Sequence, residues 1–153
     1  MEDLPGVIIR DAMADDLPDM AGLWFRSWHA AFPDLVHPMP RAQWFDRLRD
    51  DIAPRCRCRL AIRNGRIAGF IALKIDSATL EQIFVDPAQQ GAAIGQALMA
   101  DAKHLCPSGL RLTTLQRNTK AAAFYRREGF LPGATGINPT NGLANIAFIW
   151  QPG

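Results

Sequence analysis

Apolar residues recur along this chain with two different periods, and the switches between them lay out its elements. Val7, Ile8 and Ile9 open a short extended run, "VIIR", at residues 7–10. From Leu17 the spacing lengthens. Leu17, Met20, Leu23, Trp24, Trp28 and Phe32 fall three or four apart, the period of one helix face. Asp15 and Asp16 offer N-caps to that helix, Pro18 fits its first turn and Pro33 stops it. After the loop "HPMP", the stretch "RAQWFDRLRD" predicts a second short helix carrying Trp44, Phe45 and Leu48, which Pro54 ends.

Period two then returns. Residues 56–63 and 66–75 predict two strands joined by Asn64-Gly65, a dipeptide that accepts the positive φ of a two-residue hairpin turn. A third strand, "TLEQIFV", covers residues 79–85, and Pro87 closes it. A helix over 91–105 puts Ile94, Ala97, Leu98, Ala102 and Leu105 on one face. Residues 109–115 read as a strand. Residues 118–129 read as a helix with Asn118 as N-cap and Gly129 as C-terminal glycine. A Gly/Pro/Asn-rich turn region follows, and residues 143–150 form the last strand. The order is strand, two helices, three strands, helix, strand, helix, strand. It predicts one α/β domain over 1–153, with a mixed, mostly antiparallel sheet flanked by helices on both faces.

Composition narrows the classes. A chain of 153 residues suits one domain with one core. Hydrophobic residues at 48% and charged residues at 21% are ordinary for a globular protein. The net charge of +2, from 17 basic and 15 acidic residues, is too balanced to argue for nucleic acid or an anionic membrane as partner. No apolar run approaches the roughly 20 residues of a membrane span. The N-terminus "MEDLPGVIIRDAMADD" shows no basic-then-apolar leader, so a cytoplasmic protein is expected.

Cys56, Cys58 and Cys106 give an odd count and no disulfide framework. Cys56 and Cys58 have the spacing of a metal pair, but no matching Cys or His pair lies nearby and the flanking arginines repel a cation. Strand alternation explains them better: Cys56, Cys58, Leu60 and Ile62 share one face, Arg57, Arg59 and Ala61 the other. Cys106 ends a helix before Pro107 without a His partner, which argues against a nucleophile. No metal is expected.

The stretch "QQGAAIGQALM" carries the first chemical signal. A helix N-terminus presents backbone N–H groups without intrahelical partners, together with the positive end of the dipole, and so binds phosphate where side chains stay small. Gly91, Ala92, Ala93 and Gly95 meet that need. The Gly-Lys-Ser/Thr of a P-loop and the G-x-G-x-x-G spacing of a dinucleotide site are both absent. Alone, the turn is equally explained by close helix–strand packing.

Context adds to it. "IFVDPAQQGAAIGQALM" resembles the acyl-CoA-binding segment of the GNAT superfamily of N-acetyltransferases, with Gln90, Gly91, Ala92, Ala93, Ile94 and Gly95 on the family pattern. Ala93 stands where that pattern has glycine. About thirty residues on, "NTKAAAFYRREGF" resembles the family's second segment, with Asn118, Ala121, Phe124, Tyr125, Gly129 and Phe130 at its spacing. The order of elements also fits that fold, loosely at the N-terminal helices.

The resemblance implies an acetyl-CoA-dependent N-acetyltransferase that transfers the acetyl group directly, with no covalent enzyme intermediate. The pantetheine arm would pair with the backbone of Ile83, Phe84 and Val85. The pyrophosphate would sit on amides from Gly91 to Gln96, helped by the Gln90 side chain. Asn118 and Tyr125 would flank the thioester sulfur, with Phe124 among the cofactor-binding residues. The amine must be neutral to attack, the tetrahedral oxygen needs a donor, and the departing thiolate gains from an acid. The backbone N–H of Val85 fits the second role and Tyr125 the third. Glu81, four residues before Val85 and thus on its face, is the candidate base; Asp76 and His29 rank below it. Trp24, Trp28 and Phe32 could line a pocket for the amine, although packing of amphipathic helices explains Trp24 and Trp28 as well. A small-molecule primary amine is the expected acceptor, with a protein N-terminus or lysine as alternatives. A non-catalytic acyl-CoA sensor of the same fold is the rival reading, resting on Ala93. Dimers are common in the superfamily, and the last strand, ending in Trp150, is the element offered for a homodimer contact.

Overall fold

The computed structural model describes residues 6–89, 93–139 and 142–153. Among them, seven strands form one sheet in the order β1-β2-β3-β4-β5-β7-β6. β1 (Val7–Asp11), β2 (Arg57–Arg63), β3 (Arg66–Lys74) and β4 (Thr79–Val85) pair antiparallel in sequence. β4 meets β5 (Leu110–Leu115) in parallel. β7 (Ala144–Trp150) lies between β5 and the edge strand β6 (Leu131–Ile137), antiparallel to both. The α/β class, the mixed sheet and the helices on both faces are as the periodicity indicated.

The hairpin turn behaves as its dipeptide requires. Asn64 and Gly65 both have positive φ, 54° and 73°, the backbone of a two-residue turn matched to strand twist.

Two apolar clusters occupy the two faces. On one, α4 (Ile94–Leu105) and α5 (Thr119–Arg127) bury Leu98, Met99, Ala102 and Tyr125 against Ile71, Leu73 and Leu112. On the other, α1 (Leu17–Ala31) and α2 (Ala42–Arg47) bury Met20, Leu23, Trp24, Trp28 and Trp44 against Leu60 and Phe70. The alternation read in "CRCRLAI" splits accordingly. Cys56, Cys58, Leu60 and Ile62 belong to the second cluster and Ala61 to the first, while Arg57 is exposed.

Three expectations are corrected. Pro54 does not end the second helix. α2 continues through a π turn (Leu48–Ile52) into a further helical turn, α3 (Ala53–Arg55), so the helix runs one residue past Pro54. Asp16 does not cap α1 with its side chain. A 3-10 turn (Ala14–Asp16) precedes the helix, and the Asp16 carboxylate accepts from the Met13 N–H at 2.8 Å and pairs with Arg10. The turn region after residue 130 contains β6. Every residue of that strand is exposed, so no inside–outside alternation marks it, and its Pro132 is tolerated because the strand is an edge.

Gly69, inside β3, fixes how closely α4 approaches. A Cβ there would lie 2.7 Å from the Phe84 carbonyl oxygen, 3.0 Å from Leu98 Cδ1 and 3.1 Å from Ile94 Cγ2. Only glycine lets the first turn of α4 rest on β3 and β4 at this distance.

Candidate active site

β4 is held on one side by β3, with Gly69 opposite Val85, Phe70 opposite Phe84 and Ile71 opposite Ile83. On its other side, the pairing with β5 among the described residues is the single pair Thr79–Arg111. The C-terminal half of β4 therefore runs on beyond its pairing with β5. Ile83 and Val85 turn to the α4–α5 cluster and Phe84 to the aromatic cluster, 6.3 Å from Trp24. A separate cavity of about 620 Å³ lies at the opposite ends of β4 and β5, by Thr79, Ser108, Arg111 and Gln151, away from both sequence motifs.

The first turn of α4 stands beside that half of β4, with Gly95 near the Val85 side chain. Gln90, Gly91 and Ala92 lie outside the described residues. The first helical bond after Ala93 is donated by Ala97, to the Ala93 carbonyl, so the N–H groups of Ile94, Gly95 and Gln96 have no partner inside the helix. Ala93 itself is left-handed, with φ 59° and ψ 23°. That changes the reading of the alanine. The family glycine at this position answers a backbone demand, and Ala93 meets it under strain instead of extending the helix.

The second motif packs against the first. Gly95 faces the Phe124 ring, to which an added Cβ would come within 3.4 Å. Asn118 Oδ1 accepts from the Ala121 N–H at 3.1 Å, the N-cap of α5. Tyr125 is buried among Phe124, Phe130 and Phe148, with ring centroids 5.6 to 5.9 Å apart. Burial pushes its hydroxyl pKa well up. The phenol therefore keeps its proton through neutral pH and stands as a donor.

Glu81 occupies a β-bulge. Ala72 pairs with Gln82 and Leu73 with Leu80, so Glu81 is the extra residue. The bulge breaks strand alternation. Glu81 is not on the face of Val85, as simple counting has it. It points to the helical layer of α1–α3, where Arg55 donates to both carboxylate oxygens at 2.6 and 3.0 Å. Its side chain is 24% exposed. Arg55 also holds Asp51 at 2.9 Å, and the two carboxylates raise the guanidinium pKa.

The remaining candidates are placed as follows. Trp24, Trp28 and Phe32 are buried in the aromatic layer, with Trp24 4.6 Å from Trp44 and Trp28 5.1 Å from Phe32. His29 Nδ1 donates to the Phe25 carbonyl at 2.8 Å, and its ring lies against Phe25 and Trp28. Asp76 is exposed in a turn before β4. Burial raises the Cys56 thiol to about 12 and Cys58 to about 11, with Glu81 adding to both, so neither supplies a thiolate at neutral pH. No group of three or more His, Cys, Asp or Glu side chains suited to a metal occurs among the described residues.

Other residues shape the site without a motif to announce them. Arg26 on α1 holds Asp86, just past β4, at 3.0 Å. Arg117, beside Asn118, holds Asp34 after α1 at 2.7 Å and overlies the Phe32 ring at 5.8 Å. Gln82 buries its amide oxygen without a hydrogen-bond partner among the described residues. Gly69 alone carried a sequence signal, an isolated glycine in a strand. The ion pairs span 60 and 83 positions and have no local signature.

A strand that runs past its neighbour beside a helix N-terminus, with a buried, protonated tyrosine behind it, fits the acyl-CoA site that the sequence resemblance implies. The comparisons agree. The model of the acetyltransferase (GNAT) domain matches residues 54–132. The chain belongs to the GNAT acetyltransferase family and is an N-acetyltransferase with acetyl-CoA as donor. A peptidyl-lysine N-acetyltransferase, YjaB, of Salmonella typhimurium is 28% identical over 123 residues, 80% of this chain and 81% of the relative. An aminoalkylphosphonate N-acetyltransferase of the same organism is 34% identical over 89 residues, 50% of this chain and 58% of the relative. Among solved structures, a GCN5-related N-acetyltransferase from Rhodopseudomonas palustris superimposes with TM-score 0.80 at 19% identity, covering 99% of both chains. A PaiA N-acetyltransferase from Thermoplasma acidophilum in complex with coenzyme A gives 0.75 at 18% identity, over 95% of this chain and 99% of that one.

Proposed function

We propose that this enzyme acetylates the primary amine of a small molecule. Acetyl-CoA lies with its pantetheine arm along Ile83, Phe84 and Val85 and its pyrophosphate at the turn from Gln90 to Gln96. The Gly69 and Gly95 contacts support that placement, because both keep α4 and α5 close to β4. Tyr125 gives its proton to the departing thiolate. Glu81, on the side of the helical layer, takes the proton of the amine through a water, since Arg55 occupies both carboxylate oxygens. Asn118 caps α5 beside the thioester and fixes where Tyr125 stands.

The observation that carries this reading is Tyr125, buried, held protonated and packed through Phe124 against the first turn of α4. The Asp34–Arg117 pair links the segment after α1 to the approach to α5 at 2.7 Å. A lysine side chain is the second reading, favoured by the YjaB likeness. Steady-state acetyl transfer tests both. Tyr125→Phe lowers kcat about 10²-fold, the usual scale of general acid catalysis, with acetyl-CoA affinity retained. Small amines outrun a lysine peptide in kcat/KM. Unchanged kcat in Tyr125→Phe removes the acid role, and preference for the peptide moves the acceptor to lysine.

A further inference from the structure

An acceptor atom left without a hydrogen in a protein interior costs about 1–3 kcal/mol, so such an atom is rarely idle. Gln82 Oε1 is one: buried, and without a partner among the described residues. Its place in β4 is specific. Ile83 and Val85 turn to the α4–α5 cluster and Phe84 to the aromatic one. Gln82, two residues before Phe84, alternates onto the face of Phe84, and the bulge brings Glu81 onto that same face. The carboxamide oxygen and the Arg55-held carboxylate are therefore neighbours along one strand, on the side of the helical layer, three and four residues before Val85.

We propose that the Gln82 amide oxygen receives one N–H of the acceptor amine and thereby selects primary over secondary amines. The inference rests on the acetyl-transfer reading. A neutral primary amine has two N–H bonds and one lone pair. As the lone pair forms the C–N bond, the C–S bond breaks. One N–H proton leaves through the Glu81 water, and a proton reaches the thiolate from Tyr125. The second N–H survives in the product amide, so a bond from it to Gln82 holds from substrate to product. A secondary amine has one N–H, and that is the proton it must lose. It cannot satisfy Gln82 throughout, and the buried oxygen is stranded again. An amide oxygen suits this task, since it accepts a hydrogen without adding charge beside Glu81.

The test compares wild type with Gln82→Met, which keeps shape and removes the acceptor. The probes are phenethylamine with N-methylphenethylamine, and an N-blocked lysine amide with its Nε-methyl derivative. In wild type kcat/KM favours each primary amine. In Gln82→Met the preference falls about tenfold, chiefly through a raised KM for the primary amine, while acetyl-CoA affinity holds and Tm is unchanged or higher. A preference ratio that stays the same in an active, folded Gln82→Met overturns the assignment. So does a Tm lowered by several degrees, which would mean that the protein itself satisfies the oxygen. A wild type that binds acetyl-CoA but acetylates neither primary amine overturns instead the acetyl-transfer reading beneath it.

Discussion

Ala93 is where a single residue most changes the physical picture. The stretch "QQGAAIGQ" predicts a helix running in from residue 91, with Ala93 inside it and its N–H available if φ is negative. The structure instead starts the helix at Ile94 and puts Ala93 at φ 59°. An L-residue in that region costs roughly 1–2 kcal/mol. Replacing it by glycine recovers this, less about 0.4–1 kcal/mol for the greater freedom of glycine in the unfolded chain. Ala93→Gly is therefore expected to be about 0–1.6 kcal/mol more stable in urea unfolding. Its acetyl-CoA affinity should be equal or tighter by calorimetry, since a methyl leaves the phosphate turn. Clearly weaker binding with the fold intact contradicts this account of the turn.

At the scale of elements, what was legible depended on whether a local period existed. The helices α1, α4 and α5 were readable because one face of each is buried, and β3 because it is a continuous apolar run buried on both faces. β6 was not, since both its faces meet solvent. Nor was the bulge in β4, which "TLEQIFV" does not signal. It is set by pairing with β3, and it decides that Glu81 and Val85 face opposite ways. The link after α1 behaves likewise. His37 has no motif, yet its ring lies 4.8 Å from Trp44 and 4.9 Å from Trp28, and its Nδ1 accepts from the Met39 N–H at 3.0 Å. Burial, with Arg47 and His29 nearby, lowers its pKa from 6.5. The folded state thus binds this proton less readily than the unfolded chain. The stability it protects is complete above pH 6.5 and is lost as pH falls through the folded pKa. Thermal unfolding at pH 7.5 and 5.5 should show a larger Tm loss in wild type than in His37→Gln. Equal losses would show that this link does not feel the proton.

For the whole molecule, the two motifs and the order of elements were enough to indicate the fold and the family, because both follow from short-range patterns set along one sheet. The acceptor side was not legible. The features proposed for it, the Arg55–Glu81 pair and the buried Gln82 oxygen, and the nearby Arg26–Asp86 and Asp34–Arg117 pairs are each made by residues distant in sequence or hidden by a bulge. Trp24 and Trp28 illustrate the difficulty. Their helical spacing fitted a pocket or a core equally, and in the folded chain they are packed against Phe84 and His37. Where acetyl-CoA meets the amine is thus a property of the assembled sheet and its two helical layers. The most direct test is mass spectrometry of wild-type protein incubated with acetyl-CoA and a panel of primary amines. The account expects one acetylated amine for each CoA released, with no acetyl group retained on the protein. Acetyl-CoA binding without any acetylated amine, or an acetylated protein intermediate that turns over, would contradict it.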